Sequence, residues 1–311
     1  MSLYVWGSNK LKQLNTLKEL HCYTPAFIPS TCGDNVPTVV AAGENHTLIL
    51  CESGYVYSFG RGSEGQLGHG NADTSAEANI VSGLNEETIV DIAAGSASSY
   101  AVTSTGNVYQ WGLVYRKMRD VVNHNGGLHG LAQDQDNIVV EVDTATRLLE
   151  HNGNLEPIEH GPRQLRDIVQ DSTEKWQLPT AEADFDYLNE LRAIGYSPNE
   201  IKTRMSERHR EHQVMILAGC TRGPQLIPSK IPNIEHIRVR AIAAGYSHVM
   251  LLSDEGRLYG AGYNDRGQLG LGHRIFSSDF KTLDFLASKF VLEVACGYQH
   301  CICRAIDREH L

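Results

Sequence analysis

The sequence predicts an all-β propeller of five or six four-stranded blades that is interrupted by an α-helical insertion. Three observations support this prediction: a segment that recurs about every fifty residues, a strand-like segment at a fixed distance behind it, and a stretch with helical periodicity where the repeat is absent. Short apolar runs bounded by glycine and polar turn residues are typical of antiparallel strands. Small sheets of this kind bury their apolar faces by stacking on one another, and radial stacking gives a propeller.

The first repeated segment has the form Ala-Ala-Gly or Ala-Cys-Gly, with a polar residue three positions later. The steps from the first to the second copy and from the third to the fourth are both 52 residues. The glycines of the four copies are Gly43, Gly95, Gly245 and Gly297. The polar residue is a histidine in three copies, at His46, His248 and His300.

A second segment follows the first three copies and has the form Gly-x-Val/Leu-Tyr-x-x-Gly. Its last glycine lies 17 residues after the first glycine each time, at Gly60, Gly112 and Gly262. A third segment, Gly-Gln-Leu-Gly, occurs at Gly65–Gly68 and at Gly267–Gly270. Three segments that keep fixed offsets indicate one structural unit repeated along the chain.

These three segments together resemble the regulator of chromosome condensation repeat family, over roughly residues 1–112 and 237–304. The resemblance implies a β-propeller, which in that family usually has seven blades. It also implies contact with other proteins, because the founding member of the family acts as a guanine-nucleotide exchange factor for Ran. The residues between the two matching regions depart from the family pattern.

Both ends of the chain suggest how the ring closes. Residues 3–7 match the closing strand of a unit, and the chain ends shortly after Arg304, before that strand recurs. We therefore expect residues 1–7 to complete the last blade, which would remove two exposed sheet edges. The predicted domains are propeller repeats over 1–161, a helical insertion over 162–213, and further repeats over 214–311.

The interval from Gly112 to Gly262 has room for three units, and degenerate copies are expected in it. The first would run from Val139 to Gly161. The second would contain a closing strand at Val214–Gly219 and a worn Gly-Gln-Leu-Gly copy at Gly223–Leu226.

Within this interval, residues 162–213 have helical signals instead of strand signals. Apolar residues recur at helical spacing from Thr180 to Ile194, and Gly195 is placed to end that helix. A second helix is predicted from Ser197 to about His212, with Ser197 as N-cap, Pro198 in the first turn and Glu200 as the capping-box partner. Its charge cluster is either a solvated face or a partner-binding surface. The candidate partner-binding residues are Arg204, Glu207, Arg208 and Arg210.

Composition and charge restrict the classes of function. The chain has 311 residues, a formal net charge of -10 and seven cysteines without a Cys-x-x-Cys pair, which favours a reducing intracellular compartment, cytoplasmic or nuclear. No apolar run approaches the roughly 20 residues that span a bilayer. The acidic balance disfavours nucleic acid as a partner without excluding it.

No catalytic, cofactor-binding or metal-binding residues are predicted, and no cofactor is expected. His46, His248 and His300 are interpreted as one imidazole per blade that holds backbone groups of its own blade. Cys301 and Cys303 alternate along a strand, so they point to opposite faces and cannot bind one ion together. The named glycines and histidines are therefore interpreted as structural positions of the repeat.

The function expected from these observations is non-enzymatic: a protein-binding scaffold or adaptor that uses its loops and the helical insertion. The alternative, implied by the family resemblance, is a guanine-nucleotide exchange factor or other regulator of a small GTPase. A ubiquitin ligase is disfavoured because no ligase domain is expected after the propeller.

Overall fold

The computed structural model describes residues 2–15, 18–28, 32–117, 188, 191–192, 195–206 and 220–310. The chain divides into two compact units, one formed by Met1–Lys117 with Cys220–Leu311 and the other by Met118–Gly219. The strands of the first unit are β1 Leu3–Ser8, β2 His21–Ile28, β3 Pro37–Ala42, β4 His46–Cys51, β5 Val56–Gly60, β6 Ser75–Ile80, β7 Ile89–Ala94, β8 Ser98–Thr103, β9 Val108–Lys117, β10 Cys220–Lys230, β11 Val239–Ala244, β12 His248–Ser253, β13 Leu258–Gly262, β14 Ser277–Thr282, β15 Lys289–Cys296 and β16 Cys301–Asp307. Short 3-10 turns lie at Ser82–Leu84, Asp284–Leu286 and Arg308–His310.

Three four-stranded antiparallel sheets form the body of the first unit: β3–β6, β7–β10 and β11–β14. We call them blades 1, 2 and 3. The strands keep the same register in each blade, because the first residue of the second strand lies opposite the closing glycine of the third strand. The three pairs are His46 with Gly60, Ser98 with Gly112, and His248 with Gly262. The first three copies of the repeat therefore each lie in one blade and the fourth lies in the β15–β16 sheet, and the all-β propeller class is confirmed.

Neighbouring blades approach closely at the repeated glycines. A Cβ atom on Gly43 would lie 2.6 Å from the carbonyl oxygen of Gly95, and one on Gly95 would lie 3.0 Å from that of Gly245. A Cβ atom on Gly245 would lie 2.6 Å from the carbonyl oxygen of Gly297. The absence of a side chain is therefore what allows the blades to stack in the order 1, 2, 3 and then the β15–β16 sheet.

The hydrophobic core lies between the blades. One apolar cluster joins blades 1 and 2 around the fully buried Trp111, a second joins blades 2 and 3 around Leu251, and a third joins blade 3 to β15 around Leu269. Every residue of β8 and β12 is buried, and so is every residue of β4 except the half-buried Thr47, as expected for strands that are covered on both faces.

The interval between the two matching regions is organised differently from the prediction. β9 pairs directly with β10, so residues 118–219 connect the third and fourth strands of one blade. Blades 2 and 3 are in contact with each other, so no further blade separates them. None of the expected units therefore lies between blades 2 and 3, and Gly223–Leu226, predicted as a loop copy, lies within β10. The predicted unit at 139–161 and the strand at Val214–Gly219 lie outside the described residues.

The expected ring closure is also not formed. β1 pairs with β2, β15 pairs with β16, and these are two separate two-stranded sheets. The described strands thus give three complete blades and two half-blades, where five or six blades were predicted. β1 and β2 correspond to the third and fourth strands of a blade, and β15 and β16 to the first and second, but the two pairs are not hydrogen-bonded to each other. The outer edge of β16 therefore has no neighbouring strand in the part of the chain that is described.

The described part of the second unit contains a helix over residues 198–206. The predicted capping box is confirmed: the Ser197 hydroxyl donates to Glu200 Oε2 at 2.5 Å, and the Ser197 backbone N–H donates to the same oxygen at 2.8 Å. Gly195, with a φ of +82°, ends the preceding helical residues as predicted. The rest of the predicted first helix lies outside the described residues. Among the described helices, none has the length and apolar character needed to cross a membrane.

Candidate functional site

One face of the first unit carries two sets of loops. The turns that contain the repeated glycines contact the connections that follow the third strands, because Arg61, Leu113 and Tyr263 each donate their backbone N–H to a turn carbonyl at 2.8 Å. We call this surface the loop face. It consists of residues 43–45, 61–74, 95–97, 245–247, 263–276 and 297–300.

The Gly-Gln-Leu-Gly segments form identical loops on this face. The side-chain oxygen of Gln66 accepts a hydrogen bond from the backbone of Glu64, and that of Gln268 accepts one from Arg266, both at 2.9 Å. A third copy, which we had not predicted, is formed by Lys12–Asn15, where Gln13 accepts from Leu11 at 2.9 Å. We call these three segments the glutamine loops.

The third glutamine loop was hidden because it lacks both glycines. Lys12 and Asn15 have φ values of +65° and +68°, close to the +81° and +71° of Gly65 and Gly68. Asparagine tolerates this left-handed conformation, whereas lysine adopts it at a cost. The signal that could have revealed the loop is Gln-Leu recurring at 13 and 66, a spacing close to the repeat length.

The backbone carbonyl of each glutamine loop contacts the next sheet along the chain. Gln13 O accepts a hydrogen bond from Thr47 Oγ1 at 3.0 Å, and Gln66 O accepts one from Ser99 Oγ at 2.8 Å. Gln268 O accepts a weaker one from Cys301 Sγ at 3.2 Å. These three contacts repeat one polar junction between consecutive sheets.

The repeat histidines extend these junctions. His46 Nε2 lies 2.9 Å from Ser99 Oγ, and His248 Nε2 lies 3.2 Å from Cys301 Sγ. These two imidazoles therefore contact the following sheet, whereas each was expected to hold backbone groups of its own blade. His46 is 1% exposed, and burial followed by the charge of Arg61 lowers its pKa to about 3. His300 is exposed, at the position where no further blade follows in the described residues.

The last junction contains a cluster of sulfur and nitrogen atoms. Cys296 lies directly across the β15–β16 pair from Cys301, and their sulfur atoms are 3.5 Å apart. These two sulfurs and a ring nitrogen of His248 all lie within 4.8 Å of one another. The Cys296 thiol lowers the pKa of Cys301 to about 5, with a further contribution from His248, and the pKa of Cys296 is raised in turn.

The cluster was not predicted, because the alternation along one strand shows only that Cys301 and Cys303 face apart. It does not show which residue lies opposite Cys301 on the neighbouring strand. The sequence did contain a usable signal. Positions 296 and 301 flank a short hairpin turn, so they face each other across it, and the equivalent positions in blade 2 are Ala94 and Ser99.

The junction between blades 2 and 3 is built differently. In sequence, residues 118–219 connect the third and fourth strands of blade 2, where blades 1 and 3 have a glutamine loop, and the two side chains of the polar junction have also changed. Ser98 stands where blades 1 and 3 have histidine, and Val249 stands where Ser99 and Cys301 stand in the other sheets. Val249 is buried in the apolar cluster between these blades, so an apolar contact replaces the polar one.

The exposed part of the loop face carries an aromatic pair. The rings of Tyr246 and Tyr298 stack with their centroids 4.3 Å apart, and Tyr298 is 50% exposed. The equivalent positions in blades 1 and 2 are Glu44 and Ser96, so this part of the face is aromatic on one side and polar on the other.

Of the four residues predicted to bind a partner, the structure describes one. The guanidinium of Arg204 lies 4.4 Å from the centre of the Tyr196 ring, within the second unit. Glu207, Arg208 and Arg210 lie outside the described residues, so their role stays a prediction.

Comparison with known families identifies the repeat. Two family models, both described as the regulator of chromosome condensation (RCC1) repeat, match the chain. One matches residues 53–102 and 255–304, and the other matches residues 38–66 and 239–268. The matched segments cover the strands of blades 1 and 3 and the first strands of the sheets that follow them.

Several curated proteins are similar to most of the chain. The ultraviolet-B receptor of Arabidopsis thaliana is 25% identical over 303 residues, which are 97% of this chain and 58% of the relative. The X-linked retinitis pigmentosa GTPase regulator of Homo sapiens is 27% identical over 300 residues, which are 96% of this chain and 25% of the relative. The chain thus spans little more than half of one relative and a quarter of the other.

Solved structures share the fold. The structure of Prp20p from Saccharomyces cerevisiae, reported with its binding properties to Gsp1p and histones, matches with a TM-score of 0.55 and 17% identity. A structure of yeast RCC1 bound to Kap60 matches with a TM-score of 0.57 and 16% identity. Each match covers 98% of this chain and about half of the solved chain (52% and 50%).

Proposed function

We propose that this chain, a member of the regulator of chromosome condensation repeat family, is a non-enzymatic module that binds a protein partner through its loop face. The observation that carries this proposal is the stacked pair of Tyr246 and Tyr298, which presents a half-exposed aromatic surface at the end of a rigid sheet array. Exposed tyrosines on preorganised loops are enriched at the centres of protein interfaces.

The chemistry of the site supports binding over catalysis. The groups with the most strongly lowered pKa values, His46 and Cys301, hold the contacts between neighbouring sheets. The glycine-rich loops satisfy their own backbone groups through Gln66 and Gln268, and they connect strand to strand instead of leading into a helix that could bind phosphate.

We propose a small GTPase as the partner class to test first. Two observations favour it: one relative is named a GTPase regulator, and the similar yeast propeller was studied for its binding to Gsp1p. Because those proteins are much longer than the matched region, the activity of this chain is a separate question with two outcomes. A partner that is bound with faster nucleotide release indicates a regulator, and one that is bound without it indicates an adaptor.

The test is direct binding to a panel of purified small GTPases, with nucleotide release followed in parallel. The variant combines Tyr246→Ala and Tyr298→Ala, and the control is Tyr55→Ala, a 41% exposed tyrosine in the turn at the opposite end of blade 1. We expect the double variant to lose at least about tenfold in affinity, as truncated aromatic hot spots do, and the control to bind normally. Binding that survives the double variant would refute the loop face as the site, and a panel without any binding would refute the GTPase as partner.

A further inference from the structure

We propose that His248, Cys296 and Cys301 form a binding site for one zinc ion at the junction between blade 3 and the β15–β16 sheet. The three side chains offer one nitrogen and two sulfurs, which is a ligand set that zinc favours. They come from three different strands, β12, β15 and β16, so the ion would connect the two sheets.

The observed geometry is close to that of a tetrahedral site. With zinc–sulfur distances of about 2.3 Å and zinc–nitrogen distances of about 2.0 Å, tetrahedral angles require about 3.8 Å between two sulfurs and about 3.5 Å between sulfur and nitrogen. The sulfurs of Cys296 and Cys301 are 3.5 Å apart, and Cys301 Sγ lies 3.2 Å from His248 Nε2. These two distances are within a few tenths of an ångström of the tetrahedral values, and the third pair, Cys296 Sγ and a ring nitrogen of His248, lies within 4.8 Å.

The charges of these groups also fit. Two thiolates and a neutral imidazole around a divalent cation give a net charge of zero, so the half-buried site would carry no uncompensated charge. A fourth position is left for water or another donor, as in zinc sites with three protein ligands.

The equivalent junction between blades 1 and 2 shows that the fold does not require sulfur here. There His46 contacts Ser99, and Ala94 occupies the position of Cys296. That junction makes the same histidine contact and the same contact with a glutamine-loop carbonyl. The two cysteines of the last junction therefore add a capability that the structural contact does not need.

The other chemistry open to these residues is a disulfide across the β15–β16 pair. A disulfide requires a sulfur–sulfur distance near 2.05 Å, much shorter than the 3.5 Å observed, and it would leave His248 without a thiol partner. The zinc site uses all three groups. The experiment distinguishes the two possibilities.

The test is titration of the reduced, chelator-treated full chain with Co²⁺, whose thiolate charge-transfer and tetrahedral visible bands report the ligands. The variant combines Cys296→Ala and Cys301→Ser, which reproduces the side chains of the first junction and so should fold. The control is Cys303→Ser, because Cys303 lies outside the cluster. Thermal unfolding of each variant without metal verifies the fold.

We expect the native chain and the Cys303→Ser control to bind one Co²⁺ with both bands, to release it on addition of Zn²⁺, and to unfold at a higher temperature with metal. We expect the double variant to bind at least about 100-fold more weakly. Three results would overturn the proposal: no thiolate band in the reduced native chain, an unchanged band in the double variant, or a Cys296–Cys301 disulfide that persists under the reducing conditions of the titration. None of these results depends on whether a GTPase binds.

Discussion

Mild acid should destabilise the first unit through His46. The pKa of this imidazole is about 3 in the folded chain, because of burial and the charge of Arg61, against 6.5 for an ordinary histidine. In the unfolded chain it therefore accepts a proton first, as the pH falls below 6.5. A group whose folded pKa is depressed contributes stability above its unfolded pKa and loses it as the pH falls towards the folded pKa. Stability should thus be retained at pH 7.5 and decline between pH 6.5 and pH 3.

The size of this effect follows from the shift. Each pH unit within the window costs about 1.4 kcal/mol for one group, so His46 alone should remove about 2 kcal/mol between pH 7.5 and pH 5. In thermal terms this corresponds to roughly 4–8 °C in Tm for a unit of about 200 residues.

The assay is urea unfolding at pH 7.5, 6 and 5, followed by tryptophan fluorescence. Of the three tryptophans, Trp111 is fully buried and donates its indole N–H to the carbonyl of Gln66 at 2.9 Å. Because the chain has 14 histidines, the comparison is with His46→Gln, which keeps a polar side chain but cannot be protonated. The free energy of unfolding of this variant should depend less on pH, by about 2 kcal/mol over the range. Parallel pH profiles for the two proteins would show that His46 is not held neutral by the fold.

Two further pairs of substitutions test the packing at the junctions. Ser99→Ala removes the buried hydroxyl between His46 and Gln66 and should lower the free energy of unfolding by about 1–3 kcal/mol. Thr47→Val loses only a contact with a carbonyl and should lower it by less than about 1 kcal/mol. Equal losses in urea unfolding would contradict the role assigned to the histidine. Gly68→Ala places a Cβ atom 2.9 Å from Trp111 at a φ of +71°, whereas Gly267→Ala meets no atom within 4 Å at a φ of +78°. Both variants should lose about 1 kcal/mol of stability because of the left-handed backbone. Only Gly68→Ala should lose a further 1–3 kcal/mol (about the usual cost of overpacking), and Tm measures the difference. Similar Tm values for the two alanine variants would refute that difference.

The strands of blades 1, 2 and 3 could be predicted because their glycines are required by contacts that recur in every blade. Gly43, Gly95 and Gly245 each lie against the carbonyl of the next blade, so the sequence keeps them at fixed spacing. The location of the insertion could not be predicted in this way, because spacing counts residues and does not show which strands pair. Only the pairing of β9 with β10 shows that residues 118–219 are inserted, in sequence, between the third and fourth strands of blade 2.

The candidate site was harder to predict for a related reason. Its contacts join residues that are 53 positions apart, such as His46 with Ser99 and His248 with Cys301, and each residue is unremarkable within its own repeat. Comparing each repeat only with its own sequence neighbours assigns His46 to its own blade. Comparing the second strands of consecutive sheets would have paired His46 with Ser99 and His248 with Cys301.

The junction without a glutamine loop shows what determines the side chains at the others. A hydroxyl or thiol at the position of Ser99 donates to a glutamine-loop carbonyl at two junctions. At the junction between blades 2 and 3, the sequence of blade 2 lacks the Gly-Gln-Leu-Gly segment, and it has Val249 at this position and Ser98 in place of histidine. Loss of that segment thus coincides with loss of both the donor and the imidazole. Because Val249 is buried in the apolar cluster between these blades, Val249→Ser should lower the free energy of unfolding measured in urea, although serine at position 99 stabilises the preceding junction.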